Sequence, residues 1–569
     1  MAAAKGKALI VLIKPGDSYE EVYRSFRWSI PERYNMAEDV CDRHAHDDRA
    51  VALIHDHGDG DIRRYTFRDI QRNANRLANI FRHYELLHGS FVAILLGQDP
   101  EAAMTHVACW KAGLISVTIS RLFGVEAVEH RLAISDARLL ITDRAGWEVV
   151  AAIRDKLPHL KAVLTIDGAH DGTADFYATL ERASDQFDNV ATSSADPAFM
   201  NFTSGTAGPA KGVLKAHRAM LGVMPSIEFC HDFFPREGDL FWSPADWSWL
   251  AGFMNILMPA WFHGKPVLAY RAPSFDPEQA VAMMVKHSVR NTLLTPTMLK
   301  MLRQVGRLPD ELKLRSVVSG SEAVGAELVR WAQEALQVHV NVVFGQTECN
   351  STIGNNGRIM PFKAGALGRA IPGHICAVVD DEGQEVAPGT IGNIAFRRPD
   401  PLMMLEYWRD PEATAAKFID DWMITGDLGS CDEDGYFWFH ARADDIISSS
   451  GYRIGPGEIE DVLTKHPDIA MAAVIGVPDP VRNESIKAFI VLSRGVSPSE
   501  EIRESIRAMV KERLAKHEAP REIEIVDKLP LSANGKILRR ELRERETRRA
   551  ATGPIAADRI NPERGLAER

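Results

Sequence analysis

Cysteine is scarce in this chain, with six residues among 569. No two of them form a Cys-x-x-Cys pair, and their spacing is not that of metal ligands. The six are Cys41, Cys109, Cys230, Cys349, Cys376 and Cys431. A disulfide framework is therefore not expected, and the pattern favours a reducing compartment, the cytoplasm.

The chain also lacks a long apolar run and an excess of positive charge. The apolar run at residues 8–13 is shorter than a signal-peptide core and far shorter than a membrane span, so we interpret it as a strand or packing segment. A net charge of -11 argues against nucleic acid or an anionic membrane as a partner. Small anionic ligands remain compatible with a local basic patch, and a homo-oligomer is compatible with the sequence, which does not fix the oligomeric state.

What the sequence contains is a regular alternation of amphipathic stretches and short apolar runs. A chain of this length exceeds one hydrophobic core, so at least two domains are expected. The alternation predicts β-α units, an α/β fold of mainly parallel sheets covered by helices, with ligands beyond the carboxyl ends of the strands. The units lie at residues 65–84, 91–97, 100–112, 114–119, 125–136, 137–143, 146–157 and 161–167.

The pattern changes twice further along the chain. Between residues 371 and 396, short apolar strands are separated by Pro-Gly and Asp-Glu-Gly turns, which predicts a small antiparallel β subdomain. A domain boundary is expected near residues 442–450, followed by a small α+β unit with helices at 457–466 and 498–517 and strands at 470–477 and 488–492. Residues 545–569, rich in Arg, Ala and Glu, are predicted to be a flexible tail.

The most informative segment is the loop Asn-Phe-Thr-Ser-Gly-Thr-Ala-Gly-Pro-Ala-Lys-Gly at residues 201–212. Its glycines allow backbone N–H groups to approach anionic oxygens, its hydroxyls add donors, and Lys211 adds positive charge, as phosphate binding requires. It is not a Walker loop, because Ala210 precedes the lysine and Gly212 follows it. The alternative for such a segment on its own is a surface linker.

With this loop and four further blocks in order, the chain resembles the adenylate-forming superfamily of acyl-CoA synthetases, luciferases and peptide-synthetase adenylation domains. The family loop reads Thr-Ser-Gly-Thr-Thr-Gly-x-Pro-Lys-Gly, so Ala207 and Ala210 depart from it, and we expect these to alter loop mobility without loss of function. The other blocks are Phe344-Gly345-Gln346-Thr347-Glu348, Thr425-Gly426-Asp427, Ala441-Arg442-Ala443-Asp444-Asp445 with Ser450-Gly451-Tyr452-Arg453, and Asn534-Gly535-Lys536. The segments at 444–456 and 478–482 are most similar to medium-chain acyl-CoA synthetases.

The resemblance, which covers residues 65–543, implies an activity, its cofactors and an architecture. A carboxylic acid would be activated with ATP and Mg2+ as an acyl-adenylate and then transferred to coenzyme A. Residues 1–443 would form the ATP- and acyl-binding domain, with its small β subdomain. Residues 444–544 would form a small mobile α+β domain that swings about the hinge Asp444 between the two half-reactions.

The resemblance also assigns the nucleotide site, residue by residue. Asp427 would accept hydrogen bonds from the ribose hydroxyls, supported by Arg442, and Glu348 would hold the magnesium ion next to Thr347. Ser321, where the family usually has Gly, and Glu322 would line the adenine. The full set of ATP-binding positions is Thr203, Ser204, Gly205, Thr206, Ala207, Gly208, Pro209, Ala210, Lys211, Ser321, Glu322, Val342, Val343, Phe344, Gly345, Gln346, Thr347, Asp427, Arg442 and Lys536.

Lys536 and Arg453 are the catalytic residues that the resemblance implies. A carboxylate and a triphosphate repel each other, so a cation at the point of attack stabilises their approach. The carboxylate is already ionised and needs no general base. Coenzyme A, with its phosphates, would be held by residues that include arginines and a lysine. They are Ser450, Gly451, Tyr452, Arg453, Arg482 and Lys511, the last with an ordinary solvated charge as its alternative.

The acyl site is assigned to Trp249, Leu250, Ala251, Gly320 and Gly345. Acetate-activating relatives carry Trp at position 345, so glycine there predicts a longer channel and a medium-chain fatty, small aromatic or cyclic acid. The alternative is that a tight turn after the predicted strand at 340–343 requires the glycine.

Four other functions stay open on the sequence. A short-chain acid or a different acceptor is one. A peptide-synthetase module would need a carrier domain, and none follows Lys536 in this sequence; Asp246 fits the acyl-CoA synthetase pattern better. Luciferase-like oxidation shares the ATP motifs. A noncatalytic protein of the same fold is disfavoured by Glu348, Asp427 and Lys536.

We predict that Lys536→Ala abolishes adenylation but spares thioester formation from a supplied acyl-adenylate, because the lysine acts in the first half-reaction only. The loss of one such electrostatic contact costs about 3 to 4 kcal/mol, a fall of about 100- to 1000-fold in ATP–pyrophosphate exchange. Arg482→Ala is the matched control, because it should raise the coenzyme A requirement and leave exchange intact. Normal exchange in the lysine variant would remove Lys536 from the mechanism.

Overall fold

The computed structural model describes the chain in segments. These are residues 11–203, 210–270, 272, 275–321, 324–442, 445, 447–449, 452–479, 483–514, 518–531 and 537–552. The chain divides into two compact units, with the division between Phe439 and His440. The expected boundary at residues 443 and 444 falls on positions outside the described residues.

The first unit alternates helices and strands along most of its length. Its helices are α1 (Tyr19–Ser25), α2 (Phe67–His83), α3 (Pro100–Lys111), α4 (Val125–Ser135), α5 (Arg144–Ala151), α6 (Phe176–Glu181), α7 (Ala219–Cys230), α8 (Leu250–Gly252), α9 (Met258–Phe262), α10 (Pro277–Lys286), α11 (Pro296–Arg303), α12 (Ala326–Ala335) and α13 (Pro411–Ala416). Two π-helical segments, Glu38–Asp42 and Phe253–Leu257, and one 3-10 turn, Arg154–Lys156, complete the helical structure described for this unit.

The strands of this part of the chain follow the same order. They are β1 (Val51–Asp56), β2 (Ile62–Thr66), β3 (Phe91–Leu95), β4 (Ile115–Thr118), β5 (Leu139–Thr142), β6 (Ala162–Thr165), β7 (Ala174–Asp175), β8 (Pro197–Phe202), β9 (Gly212–Ala216), β10 (Phe241–Trp242), β11 (Val267–Tyr270), β12 (Asn291–Leu293), β13 (Ser316–Gly320), β14 (Val340–Gln346), β15 (Asn350–Gly354), β16 (Ala366–Ala370), β17 (Cys376–Val379), β18 (Gly392–Arg397), β19 (Glu406–Tyr407), β20 (Phe418–Ile419), β21 (Trp422–Cys431) and β22 (Phe437–Arg442).

Two large sheets are built from these strands. In one, β11, β10, β12, β13 and β14 are parallel to β1, and β2 closes the edge antiparallel to β1. In the other, β8, β4, β3, β5, β6 and β7 are parallel, and β9 and then β19 are added antiparallel. The predicted α/β class with mainly parallel sheets is confirmed.

The first sheet continues beyond β14 as an antiparallel extension through β15, β16, β22, β21, β18 and β17. Within it, β17 and β18 pair antiparallel in the region where the turn spacing predicted a small β subdomain. The expectation of antiparallel strands between residues 371 and 396 is confirmed.

Local sequence explains where the predicted helices begin. The amphipathic stretch at 65–84 becomes α2, which starts with a capping box: the Thr66 hydroxyl accepts from the Asp69 amide and the Asp69 carboxylate accepts from the Thr66 amide. Helix α3 begins with Pro100 at its first position. It is buried on all sides, as expected of a helix that is apolar around its whole circumference.

The main core lies between the two sheets of this unit. One cluster of buried side chains joins residues of β3 and β8 with residues of β11 and β12, and α3 and α7 contribute to it. The strands are buried on both faces, and ligands of such sheets bind beyond the carboxyl ends of the strands. Ligand sites are therefore expected in the loops that follow those ends.

Residues 11–13 are the described part of the apolar run near the start of the chain, and they are not a strand. The amides of Leu12 and Ile13 donate to the buried Glu228 carboxylate, at 2.9 and 2.6 Å for the same oxygen. The segment is therefore packed against α7. Among the described residues, no helix has both the length and the apolar character needed to cross a membrane.

The second unit is a small α+β structure, as predicted. Its elements are β23 (Ile447–Ser449), β24 (Tyr452–Ile454), α14 (Pro456–Leu463), β25 (Ile469–Asp479), β26 (Asn483–Leu492), α15 (Glu500–Arg513), β27 (Glu522–Ile525) and α16 (Arg539–Thr552). The sheet has the order β24, β23, β26, β25, with β27 parallel to β26.

The expected tail at 545–569 is wrong for its first eight residues, because α16 continues to Thr552. The Arg545 and Arg549 guanidinium groups each lie 2.8 Å from the Glu524 carboxylate of β27. Glu546 accepts from the buried Lys487 ammonium at 2.6 Å. These ion pairs hold the helix on the sheet, which composition alone did not indicate. Residues 553–569 lie outside the described residues.

Candidate active site

The predicted phosphate loop joins β8 to β9, two antiparallel strands at the edge of the second sheet. Its two ends are tied together: the Thr203 amide donates to the Lys211 carbonyl at 3.0 Å, and the Lys211 amide donates to the Thr203 hydroxyl at 3.1 Å. Residues 204–209, predicted to bind phosphate, lie outside the described residues. Since β8 is parallel to β4, the loop leaves the carboxyl end of a parallel strand, as expected.

The Lys211 side chain lies against a segment that the sequence analysis did not select. Its ammonium group is 3.7 Å from the Asp410 carboxylate and 5.1 Å from the ring centre of Tyr407. Behind it, the Ala210 carbonyl accepts a hydrogen bond from His130 Nε2 of α4 at 2.9 Å. The lysine and its neighbouring main chain therefore have defined positions next to the loop.

The second predicted block forms a tight hairpin at the carboxyl end of β14. Val342, Val343, Phe344, Gly345 and Gln346 belong to β14, and the chain turns before β15. Thr347 and Glu348 lie in this turn, which the Cys349 amide closes by donating to the Gln346 carbonyl at 3.1 Å.

The hairpin contacts the third block directly. Gln346 Nε2 donates to the Thr425 carbonyl at 3.1 Å, and Lys417 Nζ donates to the same oxygen at 3.1 Å. Asp427 is 5% exposed, and its amide donates to the Thr425 hydroxyl at 3.0 Å. Gly426 has a φ of 77°, the left-handed conformation that glycine adopts without strain. The structure thus brings together two blocks that lie 79 residues apart in the chain, and their assignment to the nucleotide remains a prediction.

Glu348, the predicted magnesium ligand, is held at both its main chain and its side chain. Its carbonyl accepts from Lys215 Nζ and from the Met404 amide, each at 2.7 Å. Its carboxylate, in a residue that is 6% exposed, accepts from the Tyr407 hydroxyl. Burial and the neighbouring carboxylate raise the pKa of Tyr407, so the phenol remains a protonated donor.

The donor set at Glu348 fits magnesium better than a transition metal. In the described ranges, no three His, Cys, Asp or Glu side chains are close enough together to hold a metal ion. Magnesium bound to nucleotide takes one or two carboxylates and completes its octahedron with phosphate oxygens and water. A single buried carboxylate near a phosphate loop is compatible with that need.

Lys215 on β9 is an unusual residue in this arrangement, because its side chain is almost completely buried. Its ammonium group donates to the carbonyls of Glu348 and Leu402, both at 2.7 Å. Burial lowers the pKa of Lys215 to about 8, although Cys349, Glu348 and Asp400 raise it in part. The desolvated cation is therefore stabilised by two carbonyl dipoles and by nearby groups that can carry negative charge.

The predicted adenine segment follows β13, the strand next to β14. Gly320 pairs with Val343, and a Cβ at Gly320 would lie 2.5 Å from the Val343 carbonyl oxygen. Ser321 has a φ of 75°, which explains physically why glycine is usual at this position in the family. Glu322 lies outside the described residues.

The predicted acyl residues lie around the short helix α8. Trp249 precedes the helix, and its ring packs edge-on against Phe123 at 5.7 Å. Leu250 and Ala251 are half-buried and pack against the same apolar cluster as Val343 of β14. Leu250, Ala251 and Val343 thus border the main core of the unit, and their place in an acyl site remains a prediction.

Gly345 has a steric reason to be glycine. A Cβ at this position would lie 1.5 Å from the Asn350 carbonyl oxygen and 2.9 Å from Ser351 Cα, both main-chain atoms of β15. The alternative interpretation, a backbone requirement, is therefore supported, with the close approach of β15 as its cause. The glycine no longer provides evidence for a long channel, and its place in the acyl site remains a prediction.

The remaining predicted residues belong to the second unit or are outside the described residues. Arg442 is half-buried at the end of β22, Arg453 pairs with Ser448 through the β23–β24 ladder, and Lys511 is exposed on α15. Tyr452 also belongs to β24. Outside the described residues lie Lys536, Asp444, Ser450, Gly451 and Arg482. Their roles remain predictions.

Sequence reasoning missed Lys215, Tyr407 and Asp410. A lysine in the otherwise apolar strand Gly212-Val213-Leu214-Lys215-Ala216 was a signal that could have been used, since burial of a lysine requires partners. Nothing in the sequence around Tyr407 and Asp410 indicates that they pack beside the phosphate loop, because that contact depends on the pairing of β19 with β9.

The fold and this arrangement define a two-unit α/β protein in which the ends of the predicted phosphate loop and the predicted nucleotide hairpin are held by neighbouring segments of one unit. A family model described as AMP-binding enzyme matches residues 38–408, and one described as AMP-binding enzyme C-terminal domain matches residues 458–536. The chain belongs to the AMP-binding enzyme family.

Its relatives make the class more specific. Acetyl-coenzyme A synthetase of Bacillus subtilis is 35% identical over 92% of this chain and 94% of its own length. The mitochondrial acyl-coenzyme A synthetase ACSM3 of Mus musculus is 31% identical over 93% of each chain. The structure of the anthranilate CoA ligase AuaEII with anthranoyl-AMP matches with a TM-score of 0.85 at 28% identity, covering 92% of this chain and 99% of that one. The chain is an acyl-CoA synthetase, and ligases of this class use ATP, coenzyme A and Mg2+.

We predict that Gly345→Ala lowers stability by about 3 kcal/mol or more, because the added Cβ can be accommodated only by a shift of the β15 main chain. The measurement is the midpoint of thermal unfolding together with soluble yield. Gly457→Ala is the matched control: its Cβ would meet only the His440 carbonyl at 3.9 Å, and alanine in a helix should not destabilise. An unchanged midpoint in Gly345→Ala would contradict the close approach.

We also predict that Lys215 makes the free energy of unfolding depend on pH between about pH 8 and 10.5. The pKa of Lys215 is about 8 in the folded chain and 10.5 in the unfolded chain. In that window the unfolded chain retains a proton that the folded chain has lost. The free energy of unfolding therefore rises with pH by up to about 1.4 kcal/mol per pH unit from this group, and the contribution is flat below pH 8. Lys215→Met removes the slope, so the unfolding midpoint of the wild type relative to the variant should rise from pH 8 to 10. Parallel profiles would contradict the assignment.

Proposed function

We propose that this chain activates a medium-chain fatty acid or a small aromatic or cyclic carboxylic acid. ATP would convert the acid to an acyl-adenylate with release of pyrophosphate, and coenzyme A would displace AMP to form the thioester. The convergence of the phosphate loop, the Glu348 hairpin and Asp427 in one unit is the observation that carries the proposal.

Each described residue has a task in this scheme that its surroundings suit. The buried Asp427 carboxylate, on a backbone fixed by Thr425, would orient the ribose hydroxyls. Lys211 and the loop main chain would bind the phosphates. Glu348 would hold magnesium, which supplies charge neutralisation on the triphosphate. Lys536 would stabilise the approach of the acid's carboxylate to the α-phosphate, and Arg453 and Arg482 would serve the thiol step.

The acid class is supported by the apolar surroundings of Leu250, Ala251 and Val343. A similar protein of known structure points the same way, because it is an anthranilate CoA ligase and binds anthranoyl-AMP, the adenylate of a small aromatic acid. A short-chain acid is the second candidate, because a relative with 35% identity is an acetyl-coenzyme A synthetase. Gly345 does not support a longer acyl channel, because the close approach of β15 already explains why this residue is glycine.

The acid is identified by measuring AMP and pyrophosphate release with acetate, propionate, hexanoate, octanoate, benzoate and cyclohexanecarboxylate, each with and without coenzyme A. Each buried methylene is worth about 0.8 kcal/mol, so hexanoate should exceed acetate in kcat/KM by at least about 100-fold before ordering costs reduce the margin. Preference for acetate would select the second candidate. Release that is independent of added coenzyme A would point to another acceptor.

A further inference from the structure

We propose that Lys215 is a positioning residue for adenylation: its buried ammonium group fixes the main chain of Glu348 so that the carboxylate is presented to the magnesium nucleotide. The inference rests on the proposed role of Glu348 as the metal ligand. Lys215 itself would touch neither nucleotide nor metal.

The contacts of Lys215 join three segments. The lysine lies on β9, the strand that leaves the phosphate loop, and donates to the carbonyl of Glu348 in the hairpin turn and to that of Leu402. Both distances are 2.7 Å, typical of charge-assisted hydrogen bonds. The Glu348 carbonyl also accepts the Met404 amide, so two donors occupy its oxygen.

The segment that follows Leu402 continues the same attachment. The Leu405 amide donates to the Leu214 carbonyl at 2.8 Å, and the Trp408 amide donates to the Gly212 carbonyl at 2.7 Å. Tyr407, between them, donates its hydroxyl to the Glu348 carboxylate while its ring faces Lys211. Glu348 is thus held at two points: Tyr407 donates to its carboxylate, and Lys215 donates to its main-chain carbonyl.

The cost of this lysine argues that its position matters. A buried ammonium group loses its hydration, which is why its pKa falls, and an apolar side chain of similar length would avoid that cost. In return, the ammonium group donates to the Glu348 carbonyl of the tight turn and to the Leu402 carbonyl of a neighbouring segment, neither of which belongs to a strand. Groups that orient metal ligands from behind change metal affinity by about 10- to 100-fold when they are removed.

The test compares nucleotide binding with and without magnesium, measured by isothermal titration calorimetry on the full chain. The readout is the ratio of the Kd for ATP in EDTA to the Kd for ATP with saturating Mg2+. Lys215→Met should lower this ratio by about tenfold or more, and should raise the Mg2+ concentration that half-saturates ATP–pyrophosphate exchange by a similar factor.

The matched control is Lys111→Met. Lys111 is as buried as Lys215, at 1% exposure, but its ammonium group pairs with Asp42 at 2.6 Å and also donates to Asn189, and neither residue belongs to the predicted site. Its loss should lower the unfolding midpoint and leave the magnesium ratio unchanged. If both lysine variants change the ratio equally, the effect is general destabilisation and the proposal fails.

Two further variants distinguish the proposal from the role of Glu348. If Glu348→Gln leaves the ratio unchanged, the metal assignment itself is wrong. If Glu348→Gln lowers the ratio and Lys215→Met does not, the metal assignment stands and the positioning role is overturned. If Lys215 acts by positioning Glu348, the double variant Lys215→Met/Glu348→Gln should have the same magnesium ratio as Glu348→Gln alone. Should the methionine variant fail to fold, Lys215→Gln, which retains an N–H donor, should give a ratio between that of the wild type and that of Glu348→Gln, and a wild-type ratio would overturn the positioning role.

Discussion

The candidate nucleotide site depends on the hydrogen bonds that hold Glu348. Its carbonyl receives the Lys215 ammonium and the Met404 amide, and its carboxylate receives the Tyr407 hydroxyl. A buried polar turn is stable only when its acceptors are satisfied. The donors come from β9 and from residues 402–407, so the phosphate loop and the hairpin are built on a common support. A displacement of β9 would move both.

Close contact between main chains is the second constraint on the same region. At Gly320 and Gly345 the neighbouring strand approaches so closely that no Cβ fits. The two glycines let the carboxyl ends of β13 and β14 come together beside the start of β15, and Gln346 then reaches Thr425. The hairpin therefore tolerates little variation in sequence. The residues found there are explained by packing and do not by themselves indicate the substrate. Gly345 therefore does not indicate the acid, whereas Leu250 and Ala251 of α8 offer apolar side chains to one.

The residues predicted to act in the reaction are distributed over two units that are each folded around their own core. The first contains the phosphate loop, the hairpin and Asp427. The second contains Arg453 and Lys511, and its helix α16 is fixed to the sheet by the ion pairs of Lys487, Glu524 and Glu546. The buried position of Lys487 explains how a helix rich in Arg and Glu packs on this sheet: its ammonium group pairs with Glu522, Glu524 and Glu546, and arginines of α16 pair with Glu524 in turn.

The sequence alone determined the class of fold, the alternation of helices and strands over residues 65–167, the α+β character of the C-terminal unit and the positions of the motifs. These follow from local periodicity, capping and spacing, which act over a few residues: Thr66 with Asp69 starts α2, and the loop at 201–212 follows an apolar strand. What only the tertiary structure decided is which distant groups complete the site. Lys215, Tyr407 and Asp410 reach their places through the pairing of β19 with β9, and Gly345 is fixed by the approach of β15. Hydrogen bonds and steric contacts between segments far apart in the chain produce no periodic pattern in the sequence. They are therefore defined only by the pairing of the strands in the tertiary structure.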